Sequence, residues 1–186
     1  MKACVMKTIR KQTGATLLEA LAFLGIAAIV VVGAIAMFRA AQGSAQSGDM
    51  LKQINGFRSG MKGMYGSQAQ YGAATWSPSV ATQALNASVI NGKVVPDTLR
   101  ASGANIFNAF NGQVRVDGDG ATFWVRYDAV PQEVCVKTAS NTDSSWMGIS
   151  INGTYTDLST VSGSLPVATA VAQCPAGSGF MIWRGR

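Results

Sequence analysis

Histidine is absent from the 186-residue chain. Its absence excludes acid–base catalysis by imidazole and metal sites built on histidine nitrogens. The sequence also lacks a G-x-S-x-G nucleophile motif and a glycine-rich phosphate loop following a strand. We therefore predict that the chain is not an enzyme and that it has no catalytic, cofactor-binding or metal site.

Two pairs of nearby carboxylates are the remaining candidates for acid–base chemistry: Asp117 with Asp119, and Asp128 with Glu133. The Asp-Gly-Asp-Gly sequence at 117–120 begins like a calcium loop. The downstream bidentate glutamate of such a loop is missing, since position 128 is an aspartate and Glu133 lies too far along the chain. A turn and a helix start account for both pairs, so a plain hairpin turn is the preferred interpretation of residues 117–120.

Proline is absent before Pro78, and residues 15–38 carry a single charged side chain, Glu19. A run of this length and composition is sufficient for a helix that crosses a bilayer, which needs about 20 apolar residues. A basic segment containing Lys2, Lys7, Arg10 and Lys11 precedes it and should stay on the cytoplasmic side. A carboxylate inside such a run is costly and is by default a functional residue.

Two plainer interpretations of this run are a cleavable secretory signal peptide and a simple single-pass anchor. Ala34-Ile35-Ala36 could serve as the cleavage site of a signal peptide. The apolar run is longer than the roughly 7–15 residues usual in signal peptides, and a carboxylate within it would weaken targeting. Both interpretations are therefore less favoured than a specialised membrane segment.

The formal net charge of +6 is concentrated in the first residues. Without the four basic residues before Gly14, 11 basic and nine acidic side chains remain, and they are scattered along the sequence. Scattered charges of both signs do not make the basic face that nucleic acid binding requires. We expect no nucleic acid partner.

The helical pattern continues beyond Phe38. Apolar residues recur at spacings of three and four on one face: Met50, Ile54, Phe57, Met61 and Met64. A single helix from about Ala15 to about Tyr65 would be about 75 Å long. Its many glycines, each costing about 1 kcal/mol relative to alanine, favour close helix packing, with local unwinding near Gly25 or Gly33 as the alternative.

The remainder of the chain predicts short helices and antiparallel strands after a long connection over residues 67–112. In that connection we expect short helices at 79–87 and 96–101. Beyond it we expect a hairpin of strands 113–116 and 121–127, a helix over 131–139, strands at 146–152 and 154–158 joined by a tight Asn152-Gly153 turn, a helix at 167–173 and a final strand at 180–183.

Gly14-Ala15-Thr16-Leu17-Leu18-Glu19 resembles the processing site of type IV prepilins. A basic leader ends in glycine, a small residue begins the mature chain, and glutamate is its fifth residue. The resemblance covers the N-terminal 38 residues and implies that a prepilin peptidase cleaves after Gly14 and methylates the new amino group of Ala15. Ala15 in place of phenylalanine and the long leader indicate the type IVb group, which includes enteric adhesive pili and conjugative thin pili.

The three cysteines are Cys4, Cys135 and Cys174. Cys4 should leave with the leader, so that an even pair remains in an exported domain. The resemblance implies that Cys135 and Cys174 form the C-terminal disulfide of type IV pilins. Such a bridge closes a loop of about 40 residues and is worth roughly 3–4 kcal/mol in the chain-entropy model.

The resemblance implies the α+β type IV pilin fold, in which a long N-terminal helix packs on an antiparallel sheet with short helices and one disulfide. We expect a cleaved leader (1–14), a hydrophobic transmembrane and assembly segment (15–38), an amphipathic half-helix (39–66) and a globular head (67–186) with a disulfide-bounded region (135–174).

The predicted function is that of a major pilin, inserted in the bacterial inner membrane as a precursor and then assembled into an extracellular homo-oligomeric pilus. Its partners would be the prepilin peptidase, the inner-membrane assembly machinery and a receptor on a host or recipient cell. A minor pilin or type II secretion pseudopilin, and a soluble exported binding domain behind a signal peptide, are the alternatives.

Glu19 is the predicted assembly charge. An ionised carboxylate buried among apolar helices needs a cationic partner. Residues 15–38 contain no lysine or arginine. The nearest cation is the α-amino group of Ala15, which exists only after cleavage, and a neighbouring subunit's amine is the preferred partner.

Overall fold

A long helix, α1 (Leu17–Tyr65), opens the computed structural model, which describes residues 16–68, 70–73, 75–78, 82–161 and 163–186. The Thr16 hydroxyl accepts a hydrogen bond of 3.3 Å from the Glu19 backbone N–H, the geometry of a helix N-cap. The predicted helix is confirmed from Leu17 to Tyr65, whereas Ala15 lies outside the described residues. The chain divides into two compact units, Met1–Ala41 and Gln42–Arg186.

In the second unit, α1 contributes one face to the core. Met50, Ile54, Phe57 and Met61 are buried as the periodicity predicts, and Met64 is half-buried. Gly43 and Ser47 extend the buried face toward the N-terminus by two helical turns. The amphipathic half of the helix therefore owes its stability to packing and not to intrinsic propensity, which its glycines lower.

Within the described residues, the head contains one antiparallel sheet of seven strands in the order β1-β2-β3-β4-β7-β5-β6. The strands are β1 (Arg100–Ser102), β2 (Asn105–Phe107), β3 (Gln113–Asp119), β4 (Thr122–Pro131), β5 (Gly148–Ile151), β6 (Thr154–Asp157) and β7 (Ser178–Gly185). Three short helices accompany them: α2 (Asn86–Asn91), α3 (Gln132–Asn141) and α4 (Val167–Gln173). The predicted α+β pilin fold is confirmed.

Alternation along β4 and β7 gives the sheet two different faces. Phe123, Val125 and Tyr127 of β4 lie in the main core with the buried face of α1. Trp124 and Ile182 point to the opposite face, where Trp76 and Phe180 pack against them. β7 lies in the interior of the sheet, between β4 and β5.

The predictions for the connection before the hairpin were partly wrong. The expected helix at 79–87 lies partly outside the described residues, and the helix that forms, α2, begins only at Asn86. The expected helix at 96–101 is a turn that leads into β1, and β1 and β2 were not predicted. β1 pairs with β2, and β2 pairs with β3, so these three-residue strands depend on neighbouring strands more than on their own sequence propensity.

The hairpin is confirmed, but its turn is shorter than predicted. Asp117 lies opposite Trp124, and Asp119 lies opposite Thr122, so both aspartates belong to β3. The loop is reduced to Gly120 and Ala121, with Gly120 at a φ of +52°, where glycine carries no steric cost. At the second predicted turn, Asn152 and Gly153 both have positive φ, as tight hairpin turns require.

Candidate functional site

The apolar segment of α1 is the first candidate region. Within the first unit, its large side chains are exposed: Leu17 is 82% exposed, Phe23 72% and Met37 76%. Length and composition make α1 a candidate membrane span, although a signal sequence can meet the same criteria. An apolar surface of this extent in water indicates burial in a bilayer or against other helices.

Glu19 and Arg39 are the only charged residues between Thr16 and Gly48. Both side chains are exposed. In the described part of the chain neither of them forms an ion pair. The predicted cleavage and methylation positions, Gly14 and Ala15, lie outside the described residues, as does Cys4.

The predicted disulfide is confirmed. Cys135 lies in the first turn of α3 and Cys174 directly follows α4, with a Cα–Cα distance of 6.0 Å and an Sγ–Sγ distance of 2.00 Å. Both cysteines are buried in the main core. The bridge therefore joins the two short helices that begin and end the disulfide-bounded region.

Helix α3 fastens the disulfide-bounded region to α1 through small residues. Gly43 leaves room for the Glu133 carboxylate, which a β-carbon at this position would overlap. The Lys137 ammonium donates to the Ser44 hydroxyl at 2.9 Å, and the Thr138 hydroxyl lies 3.2 Å from that of Ser47. The sequence predicts a packing role for the glycines of α1 but does not identify α3 as the partner of Gly43.

The aspartates at 117 and 119 bind protein donors. Asp117 is buried, and its carboxylate accepts hydrogen bonds from the backbone N–H and hydroxyl of Thr82. Asp119 accepts the backbone N–H of Trp76 at 3.2 Å and lies 3.6 Å from the Arg184 guanidinium. These carboxylates hold the segment that precedes α2 against the hairpin. Among the described residues no cluster of cysteine, aspartate or glutamate has the arrangement of a metal site.

Asn86 is a structural residue that the sequence pattern does not predict. Its side-chain amide donates to the Val114 carbonyl at 3.1 Å and the Ala104 carbonyl at 3.3 Å, and its oxygen accepts the Val116 N–H at 2.7 Å. The side chain is fully buried. The Asn86 side chain thus takes the place of a strand partner beside Val114 and Val116 of β3. Nothing in the local sequence distinguishes this residue from a surface asparagine.

Two groups on β6 titrate away from their ordinary ranges. Burial raises the pKa of Tyr155, and the nearby Asp157 carboxylate raises it further while Arg184 opposes the shift. Hydrogen bonds from the Ser159 hydroxyl and backbone N–H lower the pKa of the exposed Asp157 carboxyl. Both shifts belong to turn and edge-strand structure, since the two groups do not form an acid–base pair around a cavity.

The comparison with protein families decides the identity of the head. The model described as PilS N terminal matches residues 44–183, which is most of the chain. The chain belongs to the PilS family. This family consists of type IV pilin-like proteins of the IVb group. The long helix, the antiparallel sheet and the disulfide of the structure agree with that assignment. No curated protein sequence matches the chain significantly.

PilS membership extends the pilin resemblance from the N-terminal 38 residues to the head. The two signals are independent, because the family match begins at residue 44, beyond the apolar segment. Pilin families are structural and not catalytic. The chain is accordingly a type IVb pilin-type structural subunit.

Proposed function

We propose that this PilS-family protein is the major subunit of a type IVb-like pilus that mediates adhesion, aggregation or conjugative mating contact. The observation that supports this most strongly is the exposed apolar surface of α1 in a chain whose head is of the PilS family. A head of this size does not need such a surface for its own folding. Polymerisation would bury it against the apolar segments of other copies.

Processing would precede assembly. A prepilin peptidase in the inner membrane would cleave after Gly14, where the lack of a β-carbon allows close approach of the enzyme, and would methylate Ala15. The precursor would be anchored by residues 15–38, with the basic leader in the cytoplasm. Inner-membrane assembly machinery would then extract the mature chain into an extracellular filament, where a receptor on a host or recipient cell is the expected final partner.

Glu19 would select the cleaved chain for assembly. In a packed apolar fibre an ionised carboxylate needs a cation, and the α-amino group of a neighbouring copy's Ala15 is one that only cleavage creates. The uncut precursor carries an amide at that position, so it cannot supply the charge. Cleavage and polymerisation would therefore be coupled through one ion pair.

The N-terminal mass of the protein in sheared filaments tests this proposal. We expect abundant filaments whose subunit begins at a methylated Ala15 and lacks Cys4. A bulky replacement, Gly14→Leu, should leave an uncut precursor in the membrane. A mature chain beginning near Met37 would instead identify a secreted domain behind a signal peptide, and a trace amount in filaments would identify a minor pilin or pseudopilin.

A further inference from the structure

The apolar segment of α1 carries two opposite charges, one near each end. Glu19 and Arg39 are separated by twenty residues, with no other charged residue between them. Both are exposed, and in the described residues neither has an ion-pair partner within the subunit. Arg39 therefore needs a partner as much as Glu19 does once the helix is removed from water.

Helical geometry fixes the relation between these two side chains. Twenty residues correspond to about 30 Å along the axis at 1.5 Å per residue. At 3.6 residues per turn the same interval is about five and a half turns, so that Glu19 and Arg39 lie about 200° apart around the helix. The two charges thus point to nearly opposite sides.

Opposite charges on opposite sides of the helix can pair with each other when two parallel copies lie side by side and one is shifted along the axis. When one copy lies beside another and is shifted by about 30 Å along the axis, Glu19 of the first faces Arg39 of the second. We infer that a second copy of this chain binds the apolar helix in this register, with an ion pair between Glu19 and Arg39 fixing the stagger. This inference rests on the proposed function.

The contact joins two different surfaces, so each copy can make it twice. One copy offers Glu19 to a neighbour on one side and Arg39 to a neighbour on the other. Such a head-to-tail contact, repeated without closing, generates a filament and not a dimer. A C2 dimer of this helix would instead use the same surface on both copies.

The pair is compatible with the role proposed for the α-amino group of Ala15. A carboxylate has about four acceptor positions, so Glu19 can bind an amine from one neighbour and a guanidinium from another. The guanidinium presents two N–H groups in a planar fork that matches a carboxylate oxygen pair. Arg39 would therefore set the axial register, while the α-amino group of Ala15 would restrict assembly to cleaved chains.

Charge reversal provides the first test. Arg39→Glu would place two carboxylates together in the apolar contact, and sheared filaments should fall by about tenfold or more. Arg39→Lys keeps the charge and should lose far fewer filaments. Lys62→Glu makes the same charge change at an exposed position of the same helix and is the matched control, for which we expect the wild-type yield. All variants should be inserted and cut at Gly14.

Zero-length cross-linking provides the second test. In filaments of Arg39→Lys, an apolar carbodiimide should activate the Glu19 carboxyl, and the amine of the introduced lysine should form an amide bond while the carbodiimide leaves as a urea. Mass spectrometry should find the peptide that joins residues 19 and 39, and denaturing gels should show a ladder of linked copies. Because these residues are about 30 Å apart within one helix, that peptide must come from two copies. Wild-type filaments control for background coupling.

The outcomes separate this inference from the proposed function. Filaments in which Arg39→Lys gives no joined peptide would overturn the register while leaving the pilin function intact. Undiminished filaments from Arg39→Glu would also overturn it, because the stagger would then not depend on the charge pair. A wild-type chain that forms no filaments would refute the proposed function and this inference with it.

Discussion

At the residue scale, the buried polar side chains of the head support backbone that has no strand partner. Asn86 bonds three backbone groups around β3, and Asp117 bonds the backbone and hydroxyl of Thr82. Both side chains are nearly inaccessible to water. Asn86 replaces hydrogen bonds that backbone groups of β3 and Ala104 would otherwise make with solvent, and Asp117 does the same for Thr82 in the segment before α2.

Truncation of Asn86 should be costly. Asn86→Ala leaves the Val116 N–H and the Val114 carbonyl without their side-chain partner in the core, and we expect a loss of about 3 kcal/mol in the free energy of unfolding. Chemical denaturation of the detergent-solubilised protein measures it. Asn91→Ala, at the exposed end of the same helix, is the control. Equal stability of both variants would show that water replaces the amide.

The hydrogen bonds in the turn after β6 predict how the stability of the protein depends on pH. The Ser159 hydroxyl is the main cause of the lowered pKa of Asp157, and it lies 2.6 Å from the carboxylate. A pKa lower in the folded state means that this contact stabilises the protein above the unfolded pKa and that the benefit is lost as pH falls through the folded pKa. Ser159→Ala should raise the Asp157 pKa toward its ordinary value.

Titration of the Asp157 carboxyl carbon by NMR checks this prediction. Ser67→Ala, at an exposed position in the turn after α1, should leave the titration curve unchanged. An unchanged curve in Ser159→Ala would assign the shift to the Ser159 backbone N–H, which lies 2.9 Å from the same oxygen.

At the element scale, the glycines of α1 fall into two groups. Gly43 and Gly60 face other parts of the head, where a β-carbon would overlap Glu133 and Val94 respectively. Gly48 and Gly63 face open space within the subunit. The helix therefore uses some glycines for close packing in the head, while the others have no role there.

Alanine substitutions should separate these two groups. Gly60→Ala places its β-carbon against the Val94 side chain, and we expect it to destabilise the head by about 1–3 kcal/mol. Gly63→Ala meets no atom and should stabilise the helix by up to about 1 kcal/mol. Thermal unfolding of the two variants gives the comparison. A stable Gly60→Ala would mean that Val94 can move aside.

The disulfide should contribute to the stability of the two short helices that it joins. Cys135→Ser should lower the free energy of unfolding by roughly 3–4 kcal/mol, because the unfolded chain regains the freedom of the closed loop. Denaturant titration of the oxidised protein and the variant measures the difference. Alkylation of both thiols in the native, unreduced protein would contradict the assigned bridge.

Elements with strong local signals were predictable from the sequence. The prolines at 131 and 166 mark the starts of α3 and α4, and the Asn152-Gly153 turn marks the β5–β6 hairpin. β1, β2 and the position of α2 were missed because the short β1 and β2 depend on pairing with each other and with β3, while Asn86 holds α2 against β3. The disulfide was predictable from the pilin resemblance, whereas the docking of α3 on α1 requires tertiary structure.

At the scale of the whole molecule, the chain combines an apolar helical segment with a self-contained core. The core begins at the level of Gly43 in α1, and the family match begins at residue 44. The sequence motif at residues 14–19 predicts that α1 is processed and then assembled with other copies. The family match to residues 44–183 establishes the family. Processing at Gly14 and methylation of Ala15 stay predictions.

Removal of the Glu19 carboxylate should stop assembly after processing. Glu19→Ala should enter the membrane and be cut at Gly14, yet yield few or no filaments, because the neighbouring amine then has no counter-charge. Glu19→Asp should be intermediate because its reach is shorter by one methylene. Electron microscopy of sheared material and the N-terminal mass of the membrane fraction separate assembly from processing. Normal filaments from Glu19→Ala would show that helix packing suffices.

The interior position of β7 determines the order in which the head can fold. β4 and β5 do not pair with each other. Both pair with β7, which can join them only when residues 178–185 are available. If the head crossed the membrane in sequence order behind the apolar segment, these two halves of the sheet would stay apart until that last strand arrived. Folding of the head would then be delayed until such export was nearly complete, and a chain stalled shortly before Ser178 would expose two unpaired strand edges to quality-control proteases.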